Sequence, residues 1–294
     1  MRSVPGLRWL ARPSARIAGM SMLAIVAIVF ASPADGDTSS LTTQMAPAAQ
    51  LAPVVTQQGA SFAGTPTTGA LFTVSNGTLG YHFCTASVVH SPRGNLLITA
   101  AHCVTGRSNP IAFVPGYHDG QTPYGSWYVS RVFVDQAWSA SGSIADDVAF
   151  LQVKAGTAGT EIEDVTGANQ LGLSEPAGQL TQVIGYPDGS SEPVVCENQT
   201  KAFGAGSTGT GSTGNGATGA ASTGATQLEF DCGGYPDGTS GSPFLVQVNQ
   251  ATGEGTVAGV IGGYQQGGDS PSVSYSIAFG SNVGALYQTA AAGS

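Results

Sequence analysis

Two serines, Ser240 and Ser242, lie in the glycine-rich stretch PDGTSGSPF at 236–244. A serine hydroxyl is a poor nucleophile until a base takes its proton and N–H groups receive the charge that develops on the substrate. The base on offer is His102, in LLITAAHCV at 96–104, where an apolar run ends in small residues and Cys103 stands next in the chain. A disulfide at that cysteine would pin the imidazole, which titrates near neutrality as a side-chain class and so can take a proton and return it to a leaving group. His82, His90 and His118 have no comparable setting and are expected to be ordinary.

An imidazole acting this way needs an acceptor on its second nitrogen, to fix the tautomer and stabilise the imidazolium. IADDVAFLQV at 144–153 supplies Asp147 at the mouth of a strand in which Val148, Phe150 and Gln152 alternate with Ala149, Leu151 and Val153. Its neighbour Asp146 reads as a solvated turn residue. Between the two serines the surrounding glycines decide. An oxyanion pocket for Ser240 would use its own N–H and that of Gly238, a residue free to turn both donors one way, whereas Ser242 would need Ser240 in that part. Ser240 is therefore the expected nucleophile and Ser242 a structural hydroxyl.

The elements that must hold these groups are strands. ALFTVS, CTASVVHS, NLLITAAHC, WYVSRVFV, DVAFLQV, QVIGY, QLEFDC, PFLVQV and TVAGVIGGY are short runs rich in Val, Ile, Phe, Tyr and Thr, and most are bounded by Gly, Pro, Asn or Asp. Helical periodicity is scarce, so the fold class expected is all-β, a sandwich or barrel. Residues 204–226 are nearly pure Gly, Ser, Thr and Ala and read as a flexible surface insertion. No Gly-Lys-Ser/Thr ending makes that segment a phosphate loop. Tyr-Pro-Asp-Gly occurs at 186–189 and again at 235–238, which is turn chemistry rather than a repeat.

Residues 1–34 carry Arg2, Arg8, Arg12 and Arg16, then an apolar run from Ile17 to Phe30 and small residues at cleavage-like positions. That is the pattern of a secretory signal peptide, with an apolar core shorter than the roughly 18 to 20 residues of a membrane span; a retained anchor is the alternative. Residues 35–65, rich in Ala, Pro, Thr, Gln and Ser, read as a linker or pro-segment. Four of the nine Lys and Arg fall in the signal segment and none of the eighteen Asp and Glu, so the remainder is more acidic than the whole chain's formal −9. Such a surface repels phosphate backbones and argues against a nucleic-acid partner.

The four cysteines form an even set in an exported chain, which implies two disulfides. Three pairings are open; Cys84 with Cys103 and Cys196 with Cys232 each bracket one strand-turn-strand region, and each closure contributes about 3 to 4 kcal/mol on the chain-entropy model. No metal-ligand spacing is present, so neither a metal nor another cofactor is expected.

TAAHC, DDVAFL and GTSGSP, in that order, resemble the motifs of chymotrypsin-like (trypsin-fold) serine peptidases over roughly residues 66–290, and GTSGSP is closest to the bacterial glutamyl-endopeptidase-like branch. The resemblance implies two packed six-stranded antiparallel β-barrels, 66–170 with His102 and Asp147 and 171–294 with Ser240, and the site between them. It makes His102 the base, Asp147 the orienting carboxylate, Ser240 the nucleophile, and Gly238 and Ser240 the oxyanion donors. It implies a secreted, monomeric endopeptidase acting on protein or peptide, with no membrane association after signal cleavage. The order His, Asp, Ser and the absence of Gly-x-Ser-x-Gly separate it from α/β-hydrolases.

The sequence departs from that family at the substrate pocket, expected from Tyr235, Asp237, Ile261, Gly262, Gly263 and Tyr264. Thr239 stands where the digestive branch keeps an Asp that binds a newly released N-terminus. No acid stands where Lys or Arg would be held, and Ile261 replaces the histidine of glutamyl-specific relatives. Tyr264 falls where a Gly usually lets the substrate backbone pair, a ring that would narrow the pocket. The expectation is cleavage after small or medium uncharged residues. The competing reading is a catalytically weak homologue that acts as an extracellular binding protein.

Overall fold

A computed structural model describes residues 57–204 and 227–293. The expected signal peptide, most of the expected linker and nearly all of the Gly/Ser/Thr insertion lie outside the described residues.

β1 (Ala60–Ser61) precedes six strands, β2 (Thr68–Ser75), β3 (Thr78–Val89), β4 (Leu96–Thr99), β5 (Ile111–Pro115), β6 (Trp127–Val134) and β7 (Ala149–Val153). These six close into an antiparallel barrel in the order β2-β3-β4-β7-β6-β5. Short helices α1 (Ala101–Val104) and α2 (Gln136–Ser141) sit in its connections, and α3 (Ile162–Thr166) follows its last strand.

The second half contains β8 (Gln170–Leu171), β9 (Leu180–Gly185), β10 (Val194–Gln199), β11 (Lys201–Phe203), β12 (Gln227–Asp231), β13 (Pro243–Val246), β14 (Thr256–Val260) and β15 (Val273–Ile277), and ends in α4 (Ser281–Ala292). Its ladder runs as a six-stranded sheet, β1-β10-β9-β13-β14-β8, and a three-stranded one, β11-β12-β15. The sheets are joined at one seam by Gly262 N–H to the Tyr275 carbonyl (2.9 Å) and Val260 N–H to Ser276 Oγ (2.8 Å). At the other seam they are joined by the Cys196–Cys232 disulfide. The pairing is antiparallel except where β14 meets β8.

Several strand sequences are continuously apolar because both of their faces are buried. Leu97, Ala149 and Leu151 point into the first barrel beside Phe113 and Trp127. The intervening Leu96, Ile98, Val148 and Phe150 point the other way, into a cluster shared with Ile184, Leu245, Val257 and Ile277 of the second half and Val283 of α4. The alternate residues Val183, Phe244 and Ile261 fill the second half's own core with Phe230 and Cys232. Burying a side chain such as Phe150 contributes about 1.5 to 3 kcal/mol, so this shared layer clamps the two halves together.

The expected linker boundary at 65 shifts. Residues 57–62 belong to the fold: Ala60 and Ser61 pair with Val195 and Val194 of β10, and Phe62 packs on the shared core. The composition of this segment conceals a strand because its partner is supplied by the far half of the chain.

Candidate active site

α1 begins where β4 runs out of barrel, and it delivers His102 to the boundary between the halves. Cys103 is disulfide-bonded to Cys84 of β3, and Cys196 to Cys232. Cys84, His102 and Cys103 bring three potential ligand atoms within 4.8 Å of one another, but both sulfurs are consumed by the disulfide, so this is no metal centre.

Asp147 lies between a single 3-10 turn and β7 and is fully buried. Its carboxylate receives three N–H donors: His102 Nδ1 at 2.8 Å and Gly263 N at 2.9 Å, both on Oδ2, and His102 N at 2.9 Å on Oδ1. A buried charge is tolerable only when satisfied in this way, and the Oδ2 contact orients the ring with its second nitrogen free. Asp146 is not part of this arrangement; Ser143 Oγ and Asn282 Nδ2 donate to it. Nor are the other histidines. His82 contacts the Ser190 carbonyl, His90 pairs with Glu163, and His118 contacts the Gly116 carbonyl.

The turn carrying Ser240 is held from the first barrel. Thr85, next to Cys84, donates its N–H to the Ser240 carbonyl (2.8 Å) and its hydroxyl to the Gly238 carbonyl (3.2 Å), and its own carbonyl accepts from Thr99 Oγ1 (2.7 Å). One strand thus grips the serine turn and, through the adjacent disulfide, the helix of His102. Gly238 has φ +91°, and a side chain there would run into the Asp188 backbone. Gly241, at φ +82°, abuts Thr99 and Ala100 with equally little room. Among the described residues the N–H groups of Gly238 and Ser240 make no hydrogen bond, and neither does Ser240 Oγ. Unpaired N–H groups at a buried turn are uncommon, and two side by side have the chemistry to receive an anion. Ser242 is fully buried, and its hydroxyl donates to the Thr239 carbonyl at 2.6 Å. Thr239 is satisfied locally, its hydroxyl donating to Pro236.

Beside Ser240 opens a cavity of about 520 Å³ with Tyr235, Pro236, Thr239, Ile261 and Pro271 on its walls. Tyr235 and Ile261 are nearly fully buried, and the Tyr235 hydroxyl donates to the Val183 carbonyl (2.7 Å) while burial pushes its phenol well above the ordinary range. Asp237 lines the cavity together with Asp188, Asp269, Gln265 and Gln266, and no Lys, Arg or His does. Three of the six expected pocket residues stand elsewhere. Gly262 backs directly onto Asp147 with no space for a Cβ to spare, and Gly263 uses its N–H on that carboxylate. The Tyr264 ring lies tilted against Phe203 and edge-on to Tyr275, and it is not among the residues that line the cavity. Thr85 and the Gly263 N–H escape a sequence reading because a lone strand Thr and a tandem glycine carry no signal beyond their neighbourhood to Cys84 and Ile261.

A family model described as Trypsin matches residues 55–280. The chain belongs to the trypsin family. This trypsin-family chain is a chymotrypsin-like serine peptidase whose substrates are peptides. It is similar in fold to the protease Anisep from Arthrobacter nicotinovorans, at 22% identity and TM-score 0.63 over 80% of this chain and 99% of the other. A thermostable serine protease, AL20, from an extremophilic microorganism gives 21% and 0.61 over 78% and 99%. A Glu endopeptidase in complex with MPD gives 17% and 0.55 over 80% and 97%. No curated protein matches the chain.

Proposed function

We propose that the protein is a secreted, monomeric serine endopeptidase whose reaction runs through an acyl-enzyme on Ser240. The observation that carries this reading is the pair of unbonded N–H groups, on Gly238 and Ser240, beside a serine whose turn is strapped to the strand that also fixes His102. In the first step Ser240 Oγ attacks the scissile carbonyl carbon, His102 Nε2 takes the hydroxyl proton, and the carbonyl oxygen becomes an oxyanion facing the N–H groups of Gly238 and Ser240. His102 then protonates the leaving amine, the C–N bond breaks, and water repeats the sequence to release the acid. Asp147 stays ionised and holds Nδ1–H throughout.

The cavity next to Ser240 suits the side chain preceding the cleaved bond. The sequence expectation was an uncharged preference; with Asp188, Asp237 and Asp269 together and no cation among the lining residues, an acidic side chain is repelled and a basic or uncharged one is admitted. Two disulfides suit the oxidising exterior.

Cleavage-site mapping on a peptide library tests the reading. The wild-type protein is expected to cut, with cuts after Glu and Asp depleted, and Ser240→Ala to be inert. Undiminished cutting by Ser240→Ala would sink it, and a wild-type protein that binds peptides without cutting them would favour the binding-homologue alternative.

A further inference from the structure

We infer that residues Gln57–Gly59 are a positioning strap for the wall of the substrate cavity, an inference that rests on the proposed role of that cavity in holding the side chain before the cleaved bond. Both main-chain groups of Gly233 are used by this segment: Gly59 N–H donates to the Gly233 carbonyl (2.8 Å), and Gly233 N–H donates to the Gln57 carbonyl (2.7 Å). The Gln58 side chain closes over Gly233 so tightly that a Cβ at 233 would collide with its amide. Immediately downstream, β1 secures the segment to β10, and Phe62 N–H donates to the Pro193 carbonyl (3.2 Å).

Gly233 opens the stretch that becomes the cavity wall. Gly234, at φ +103°, makes no main-chain hydrogen bond among the described residues, and Tyr235 and Pro236 follow as lining residues. Two glycines in succession form a hinge, since neither restricts its own dihedral angles. Upstream the hinge is fixed by the Cys196–Cys232 disulfide and downstream by Tyr235 N–H to the Pro271 carbonyl (3.0 Å). Between those anchors the strap is what holds it.

The oxyanion turn has separate supports. Thr85 grips the carbonyls of Gly238 and Ser240, and Asp188 N–H donates to the Asp237 carbonyl (2.7 Å). Loosening the strap is therefore a defect of the wall and not of the reacting groups. A small phosphorylating reagent with no side chain to seat should not notice it, whereas a peptide that must seat one should.

The test uses the full chain with two substitutions that disturb the strap by different means. Gly59→Pro removes the N–H that donates to Gly233. Gly233→Ala keeps every N–H but prises Gln58 away, and alanine is admissible because Gly233 does not lie at positive φ. For both, kcat/KM on a peptide is expected to fall about tenfold to a hundredfold, the scale of a misplaced binding group, while the rate of labelling by diisopropyl fluorophosphate stays within about twofold. Adding Gln58→Gly to Gly233→Ala relieves the collision and is expected to restore peptide turnover. Unchanged peptide turnover in both single variants overturns the strap. So does a parallel loss of labelling and turnover in both, which would make the segment a general stabiliser of the fold, and so does a double variant that is not rescued. A wild-type protein that neither labels nor cleaves overturns the proposed function instead, a result distinct from all of these.

Discussion

Asp147 is buried and satisfied by three N–H groups, two of them from His102. Asp147→Asn would keep the shape but offer an NH₂ where Nδ1–H needs an acceptor, turning the imidazole to the wrong tautomer. A fall in kcat on the order of 10⁴ with little change in KM is expected, the size known for Ser-His-Asp triads treated in this way, and steady-state kinetics on a peptide checks it. An undiminished kcat would mean another group orients the ring. Ser242 makes the opposite case: its hydroxyl satisfies the Thr239 carbonyl inside the protein. Ser242→Ala should cost about 1 kcal/mol or somewhat more in denaturant unfolding and leave most of the peptidase activity. The contact of His102 with Asp147 was legible in the sequence, because an imidazole beside a cysteine asks for a carboxylate acceptor and Asp147 stands at a strand mouth. The third donor to Asp147 was not, since a main-chain N–H belongs to every residue and only the fold brings Gly263 to the carboxylate.

β4 and β7 show why the strands were easy to read and their partners were not. Val148 and Phe150 face the layer between the halves while Ala149 and Leu151 face the first barrel, so the run is apolar on both sides and short, as a doubly buried strand must be. Pairing across long separations left no such mark: β1 joins β10 and Thr85 meets Gly238 through contacts that composition does not encode. The second half also draws its ladder as two sheets because tandem glycines and a disulfide replace regular pairing at the seams. β11 and β12 are antiparallel partners with Phe203 opposite Gln227, so the two described ends that flank the insertion are neighbours on one ladder. Replacing residues 205–226 by a short Asn-Gly turn should therefore preserve folding and peptide turnover, with unfolding free energy unchanged or slightly raised by the shorter closure. An insoluble product, or one with turnover reduced by more than about tenfold, would show that the insertion packs against the molecule or serves the substrate.

The charge of the whole molecule and that of the cavity agree in sign. Asp188, Asp237 and Asp269 are all solvent-exposed members of the lining, so their field is real but screenable. The ratio of kcat/KM for a peptide with Lys before the cleaved bond to the same peptide with Glu there should exceed about tenfold at low ionic strength and shrink toward unity near about 1 M salt. A Glu preference would require a cation that the lining residues do not provide. Among the described residues no helix is long and apolar enough to cross a membrane. Thr85 holds the turn of Ser240 while the neighbouring Cys84–Cys103 disulfide holds the helix of His102, and in the proposed function this turn presents Ser240 as the nucleophile. Labelling the protein with a fluorophosphonate and mapping the adduct by peptide mass spectrometry tests it most directly. A single adduct on Ser240, retained in Ser242→Ala and absent from Ser240→Ala, is the predicted result; an adduct on Ser242 or any other residue, or labelling that survives Ser240→Ala, would contradict it.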